Sequence, residues 1–208
     1  REIGPIDLEL SGGEVVLLEG PSGAGKSSIL AALLGFADYT GRIEVAGTPA
    51  TDAAARGIVA WAGQRPGLVT GTVAENVALG DDRPDGALVA RCLTDAVADV
   101  DGALALGVAG AGLSGGQAQR VAVARALYRM RRRGTPVLVL DEPTSALDAQ
   151  TEAALWQTVR RAADTEGAAV LLVSHRPTAR TIADRVIVVS SGAALDSALD
   201  APGEGGAA

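Results

Sequence analysis

The 208-residue sequence has one cysteine, one histidine, one lysine, no long apolar run and no excess of basic charge, and each shortage removes a class of protein. Cys92 alone cannot close an internal disulfide and stands without metal-ligand spacing, which excludes a disulfide scaffold and a cysteine-based zinc site. In Val89-Ala90-Arg91-Cys92-Leu93 it reads as an ordinary core cysteine on a helix. Mean hydropathy is +0.24. That value comes from Ala and Val spread along the chain, and no run approaches the roughly 18 apolar residues a membrane helix needs. The start, Arg1-Glu2-Ile3-Gly4-Pro5, lacks the order of a secretory signal, so a cytosolic chain is expected. A net charge of -7 and a pI near 4.7 oppose a nucleic-acid surface, which needs clustered Lys and Arg. The one basic run, 129–133, closes a helical pattern where cations complement the helix dipole, and a solvated helix end is expected there.

What is present is a chain of 48% hydrophobic composition, enough for one full core and one domain. Continuous apolar runs at 15–18, 136–140, 169–173 and 186–189 suit strands buried on both faces. Helical patterns at 27–34, 117–132, 151–164 and 176–183 alternate with them, which predicts a mostly parallel α/β sheet. Residues 6–10 and 42–45 alternate apolar and charged positions and are expected to form half-exposed antiparallel strands in a small β layer. The stretch 72–112 favours helix and then turns rich in Ala and Gly, so a helical lobe inserted into the core is expected. The expected division is an α/β core with its β layer at 1–71 and 113–200, the lobe at 72–112, and a flexible tail at 201–208.

Gly20-Pro21-Ser22-Gly23-Ala24-Gly25-Lys26-Ser27 fits G-x-x-x-x-G-K-[ST] between an expected strand and an expected helix, the context this phosphate loop requires. Its glycines let successive N–H groups and the helix N-terminus point at phosphate oxygens, with Ser28 opening the helix behind them. Lys26, the only lysine in a chain that otherwise uses Arg, supplies a point charge to the β and γ phosphates of ATP. Ser27 would hold Mg²⁺ through its hydroxyl. Val137-Leu138-Val139-Leu140-Asp141-Glu142 is an apolar strand that delivers two carboxylates to the C-terminal edge of a parallel sheet. Asp141 would hold Mg²⁺ through water, and Glu142 would polarise the attacking water as general base.

Leu113-Ser114-Gly115-Gly116-Gln117 then resembles the signature of the ABC ATPase family, LSGGQ, followed directly by a helix. Ser114 and the amides of Gly115 and Gly116 stand at a helix N-terminus and repeat the same anion logic. The resemblance implies that they, with Gln117, contact the γ phosphate of a nucleotide held by a second cassette, so that two ATPs are sandwiched in a dimer. Further matches follow in order. Gln64 in Ala62-Gly63-Gln64 resembles the Q-loop, Ser145-Ala146-Leu147-Asp148 the D-loop, and His175 in Val173-Ser174-His175 the H-switch. By resemblance, Gln64 reaches Mg²⁺ and the attacking water and links to the membrane domain, His175 contacts the γ phosphate, and Asp148 signals across the dimer. The fold implied is the ABC ATPase form of the P-loop NTPase core, with a small antiparallel β subdomain and an inserted helical subdomain.

Val69-Thr70-Gly71-Thr72-Val73-Ala74-Glu75-Asn76-Val77 resembles the segment after the Q-loop in exporter-type cassettes, and Thr72 with Glu75 also reads as a capping box. Leu34-Gly35-Phe36, Trp61-Ala62-Gly63-Gln64 and the signature with Gln119 and Arg120 look like the cytochrome bd assembly exporters, with thiol or haem as cargo. The partners so implied are a second cassette and a transmembrane domain at the cytoplasmic face of the membrane, with no nucleic acid. Two other classes stay open: a non-transport ABC ATPase acting on DNA or ribosomes, and a regulatory module that has lost catalysis. The family's adenine-stacking aromatic lies upstream of Arg1, which leads to an expectation of weak ATP affinity for the isolated chain. The 106–112 segment carries no acidic residue where exporters have one.

Overall fold

The computed structural model describes residues 5–50, 52, 57–145 and 147–190, and the backbone of 193–198. The expected tail at 201–208 and Ala146 of the D-loop match lie outside the described residues. In chain order the strands are β1 (Val15–Glu19), β2 (Glu44–Val45), β3 (Thr48–Pro49), β4 (Val59–Ala62) and β5 (Gly71–Thr72). They continue as β6 (Ala105–Leu106), β7 (Val137–Asp141), β8 (Ala169–Val173), β9 (Arg185–Ser190) and β10 (Ala193–Ala198). The α-helices are α1 (Lys26–Leu33), α2 (Val73–Val77), α3 (Gly86–Asp95), α4 (Gly115–Arg133) and α5 (Ala149–Asp164).

The central sheet has the order β10-β9-β1-β8-β7-β4. Its five strands from β9 to β4 are parallel and β10 is antiparallel to β9. The apolar runs produce it directly. Val15, Val16, Leu17 and Leu18 have no exposed surface, and their alternation sends side chains to opposite faces. Val15 and Leu17 join Leu138, Leu140, Val170 and Leu172 under α4 and α5, while Val16 and Leu18 join Val139, Leu171 and Val173 under Leu30 of α1. The order also sets β1, β8 and β7 side by side, so the loops leaving their C-terminal ends must meet.

α2 and α3 pack on α4 through Val73, Val77, Val89, Cys92 and Leu93, which fill the same core cluster as Val121, Ala124 and Leu127. The capping box at Thr72 and Glu75 is present: Thr72 Oγ1 accepts from Glu75 N at 3.1 Å and Glu75 Oε2 accepts from Thr72 N. Two short strand segments, β5 and β6, pair within this stretch, where the sequence showed no buried-strand run. Cys92 is fully buried, and burial pushes its thiol pKa up.

Four further expectations change. Residues 6–10 form no strand, although Ile6, Leu8 and Leu10 are half-buried between exposed neighbours. Pro5 brings no N–H to a ladder, and the Glu9 carbonyl accepts instead from Arg185 Nη1 at 3.1 Å. Residues 176–183 form only a 3₁₀ turn at Pro177–Thr181, started by a proline and tightened by Thr181 Oγ1 donating to Thr178 O at 2.7 Å. The basic run is not uniformly solvated. Arg131 is 8% exposed and donates to Asp95 at 2.6 Å and to Glu166 at 2.7 Å, tying α3 and the end of α5 to α4. Finally, β4 is a core strand that the apolar runs did not reveal: Trp61 and the small Ala60 and Ala62 make a short, weak run.

Candidate functional site

The phosphate loop begins where β1 stops. Gly20 has φ 145°, and a Cβ there would lie 2.1 Å from the Val189 carbonyl oxygen, so only glycine fits. Gly23 and Gly25 also take positive φ, and the loop enters α1 with no side chain capping its N-terminus. The Ser28 N–H already donates to Gly25 O at 2.9 Å, and the N–H groups of Lys26 and Ser27 ahead of it are the ones available to an anion. Lys26 is 7% exposed, and its Nζ donates back to Gly20 O at 2.7 Å and Pro21 O at 3.2 Å. Pro21, Ser22, Gly23, Ser27 and Ser28 face solvent, and Ala24 turns into the core.

Beside this loop β7 delivers Asp141, and the chain then turns sharply: Glu142 adopts φ 51° and its N–H donates to Val173 O at 2.9 Å. A glutamate held in the left-handed region costs about 1–3 kcal/mol, a strain typical of functional loops. The same bond fixes Glu142 against the end of β8, where Ser174 is buried and His175 emerges half-exposed. His175 Nε2 lies 3.3 Å from Glu142 Oε1, and that oxygen is buried with no hydrogen-bond donor. Burial raises the carboxyl pKa of both Asp141 and Glu142, opposed by the charges of Lys26 and His175, by a backbone N–H of Gln64 at Asp141 and by the backbone N–H of His175 at Glu142, where the Asp141 charge adds to the rise. Lys26, Asp141, Glu142 and His175 thus converge on one edge, joined by the loop of Gln64.

The other expected residues are held elsewhere. Ser114 caps α4, its Oγ accepting from Gln117 N at 3.2 Å while Gln117 Oε1 accepts from Ser114 N at 2.9 Å. Ser114 and Gly115 are exposed there and Gly116 is half-buried. Asp148 caps α5 by accepting from Thr151 N at 2.9 Å and Thr151 Oγ1 at 2.8 Å, bonds that lower its pKa.

Two further residues hold the site: Gln119, named in the sequence only as part of the signature resemblance, and Arg125, not named there at all. Buried Gln119 donates from Nε2 to Gly63 O at 3.1 Å, and Arg125 donates to Gly67 O at 3.1 Å and to Pro66 O. Both rise from α4, so the helix behind Ser114 also anchors the Gln64 loop. The available signal was positional: Gln119 lies four residues before Val123 on the buried face of α4, where a polar group must find a partner.

The donor set fits a nucleotide triphosphate with a divalent cation. The lysine, the open helix N-terminus and an orphaned carboxylate oxygen face one edge. Among the described residues no group of three or more His, Cys, Asp or Glu gathers for a metal. The oxygen donors of Ser27 and Asp141 suit a hard cation such as Mg²⁺ shared with phosphate oxygens and water.

A parallel sheet with a lysine-bearing glycine loop after one strand and paired carboxylates after a neighbouring strand defines the P-loop nucleotide-hydrolase class. The family described as ABC transporter matches residues 3–145, more than half of the chain. The chain belongs to the ABC transporter family, and its α/β sheet, small antiparallel pairs and helices match those of ABC ATPases. It is 40% identical over 197 residues to an ATP-dependent lipid A-core flippase of Burkholderia orbicola (strain AU 1054), covering 90% of this chain and 32% of the flippase. It is 35% identical over 197 residues to the glutathione/L-cysteine transport system ATP-binding/permease protein CydD of Haemophilus influenzae, covering 90% of this chain and 32% of CydD. An aliphatic sulfonates import ATP-binding protein of Xanthomonas axonopodis pv. citri is 42% identical, with 88% of this chain and 73% of the importer subunit covered. The chain thus spans about a third of the flippase and of CydD.

Two solved structures superpose closely. A bacterial Atm1-family ABC exporter with ATP bound gives a TM-score of 0.81 at 32% identity, over 93% of this chain and 35% of that one. The ATP-binding cassette MJ0796, a dimer in a post-hydrolysis state with ADP and Pi, gives 0.82 at 26% identity, over 96% and 91%.

Proposed function

We propose that this chain is the ATP-hydrolysing cassette of an ABC exporter, acting as a dimer beneath a transmembrane domain at the cytoplasmic face of the membrane. The observation that carries the proposal is the convergence of Lys26, Asp141, Glu142 and His175 at the C-terminal ends of β1, β7 and β8, with Glu142 Oε1 lacking a donor. In this reading the loop from Gly20 to Ser28 wraps the ATP phosphates, and Lys26 Nζ exchanges its bonds to Gly20 O and Pro21 O for the β and γ oxygens. Ser27, Asp141 and Gln64 would hold Mg²⁺, which supplies charge neutralisation on the phosphate oxygens. Glu142 accepts a proton from water as the water oxygen bonds to the γ phosphorus and the bond to the β–γ bridging oxygen breaks, leaving ADP and phosphate. His175 steadies the γ oxygens. Ser114, Gly115, Gly116 and Gln117 of a second cassette close over that phosphate, and Asp148 faces the partner.

The exporter relatives favour transport over a DNA- or ribosome-acting cassette or a regulatory module. Thiol or haem export for cytochrome bd assembly rests on the likeness to CydD and on the resemblance around Trp61 and the signature. Glu142→Gln should cut ATP turnover by about a hundredfold or more, the scale at which a positioned base contributes, while ATP binding is kept. Turnover at the parental rate would contradict Glu142 as the base.

A further inference from the structure

Glu152 stands in the first turn of α5 and is only 4% exposed. A buried carboxylate needs partners, and Thr178 and Arg176, which approach its two oxygens, come from one segment, the residues just after His175. Thr178 Oγ1 donates to Glu152 Oε1, and Arg176 Nε lies 3.3 Å from Glu152 Oε2 as an ion pair, that oxygen being buried and receiving no hydrogen bond. Trp156 Nε1, one turn along α5, donates to Thr178 Oγ1 at 3.1 Å, so the threonine hydroxyl is committed as acceptor and donor at once. Arg176 reaches further, with Nη2 at 3.4 Å from Thr144 O and 3.3 Å from Leu147 O, the backbone that leads into Asp148. On its other side, Arg176 N donates to the buried Ser174 Oγ at 3.1 Å.

We infer that buried Glu152, with Arg176 and Thr178, forms a clamp that fixes the His175 loop to the start of α5, making Glu152 a positioning residue for the hydrolytic step. His175 sits between two anchored neighbours and is itself half-exposed, so its aim at Glu142 is set by Ser174 and Arg176. Asp148 and Glu152 lie at the two ends of one helical turn, and a shift of the Asp148 loop moves the clamp with it. Global stability alone is a poor reason to bury the Glu152 carboxylate against a partly exposed arginine, because burying an ion returns little net stability against apolar packing. The inference rests on the proposed role of His175 at the γ phosphate.

The full chain tests it by steady-state ATPase kinetics together with binding of a fluorescent ATP analogue. Glu152→Ala should lower kcat about tenfold to a hundredfold, the scale of a small misplacement of a reacting group, with KM and analogue affinity changed less than about twofold. Thr178 lies at the surface, so Thr178→Val tests the same bond where Glu152→Ala fails to fold; it should lower kcat in the same direction, and Thr178→Ser should restore it. Because the clamp acts through His175, adding Glu152→Ala or Thr178→Val to His175→Ala should change kcat by less than about twofold. Parental kcat in both clamp variants, or losses that multiply in full with that of His175→Ala, would overturn the clamp. A parental kcat in His175→Ala alone would instead overturn the role of His175 on which it rests.

Discussion

At the scale of single residues, the site is built from groups placed against their own preference. Gly20 is required by the Val189 carbonyl, and Gly20→Ala combines that clash with a positive φ. It should destabilise the fold by at least about 2 kcal/mol, read by urea unfolding. Asp141 and Glu142 are held with pKa values above their ordinary 3.8 and 4.5, chiefly by burial. A raised carboxyl binds its proton more readily folded than unfolded. The stabilisation it gives is complete below the unfolded pKa and is lost as pH rises through the folded one. At neutral pH both carboxylates therefore cost stability, and Glu142→Gln should melt higher than the parent at pH 7.5, with the gap closing toward pH 4. The rate moves oppositely: Glu142 must be ionised to accept a proton, so ATP turnover should fall on acidification at a pH above that of an ordinary glutamate. A pH–rate profile reads this directly.

At the scale of elements, α4 does most of the joining. It starts at the capped Ser114, anchors the Gln64 loop through Gln119 and Arg125, and ends in Arg131, which pairs with Asp95 of α3 and Glu166 beyond α5. Arg131→Met removes the most buried cation of that group. Asp95 keeps Arg161 at 2.8 Å and Arg91 at 3.8 Å, so the loss should fall near 3 kcal/mol, at the low end for breaking a buried pair. Urea unfolding monitored at Trp156 checks it. The strands and helices with strong periodicity were legible to within a few residues, because Val, Ile and Leu runs at 15–18 and 169–173 have only one use in an α/β protein. β4 was not legible, since Ala60 and Ala62 carry little apolar signal and their burial is imposed by neighbouring β7. Nor was the 3₁₀ turn after His175, where hydroxyl bonds to local backbone override a helical pattern. The partners of Arg131 were hidden for a different reason: Asp95 and Glu166 lie 36 and 35 residues away, and only the packing of α3 and α5 brings them together.

At the scale of the whole molecule, the strand order explains why motifs far apart in sequence serve one edge. β1, β8 and β7 are neighbours, so residues 20–28, 174–175 and 141–142 meet without any long-range signal in the sequence beyond the motifs themselves. The proposed phosphate-contact residues could be named from the string around Lys26 and from Asp141-Glu142, and their joint placement follows from the parallel sheet. The roles of Gln119, Arg125 and Glu152 could not be read, because a polar side chain on a buried face gives no hint of which distant carbonyl or hydroxyl satisfies it. The signature at Ser114 and the Asp148 cap are exposed at helix N-termini, which leaves both free to meet a second copy.

The most direct test of a cassette that shares ATP between two copies is the solution mass of Glu142→Gln with and without Mg-ATP. Blocking hydrolysis while keeping Lys26 and Ser114 should let the nucleotide-bridged form accumulate, and the mass should double when Mg-ATP is added. A mass that stays at one chain, with Mg-ATP demonstrably bound, would contradict the sandwich.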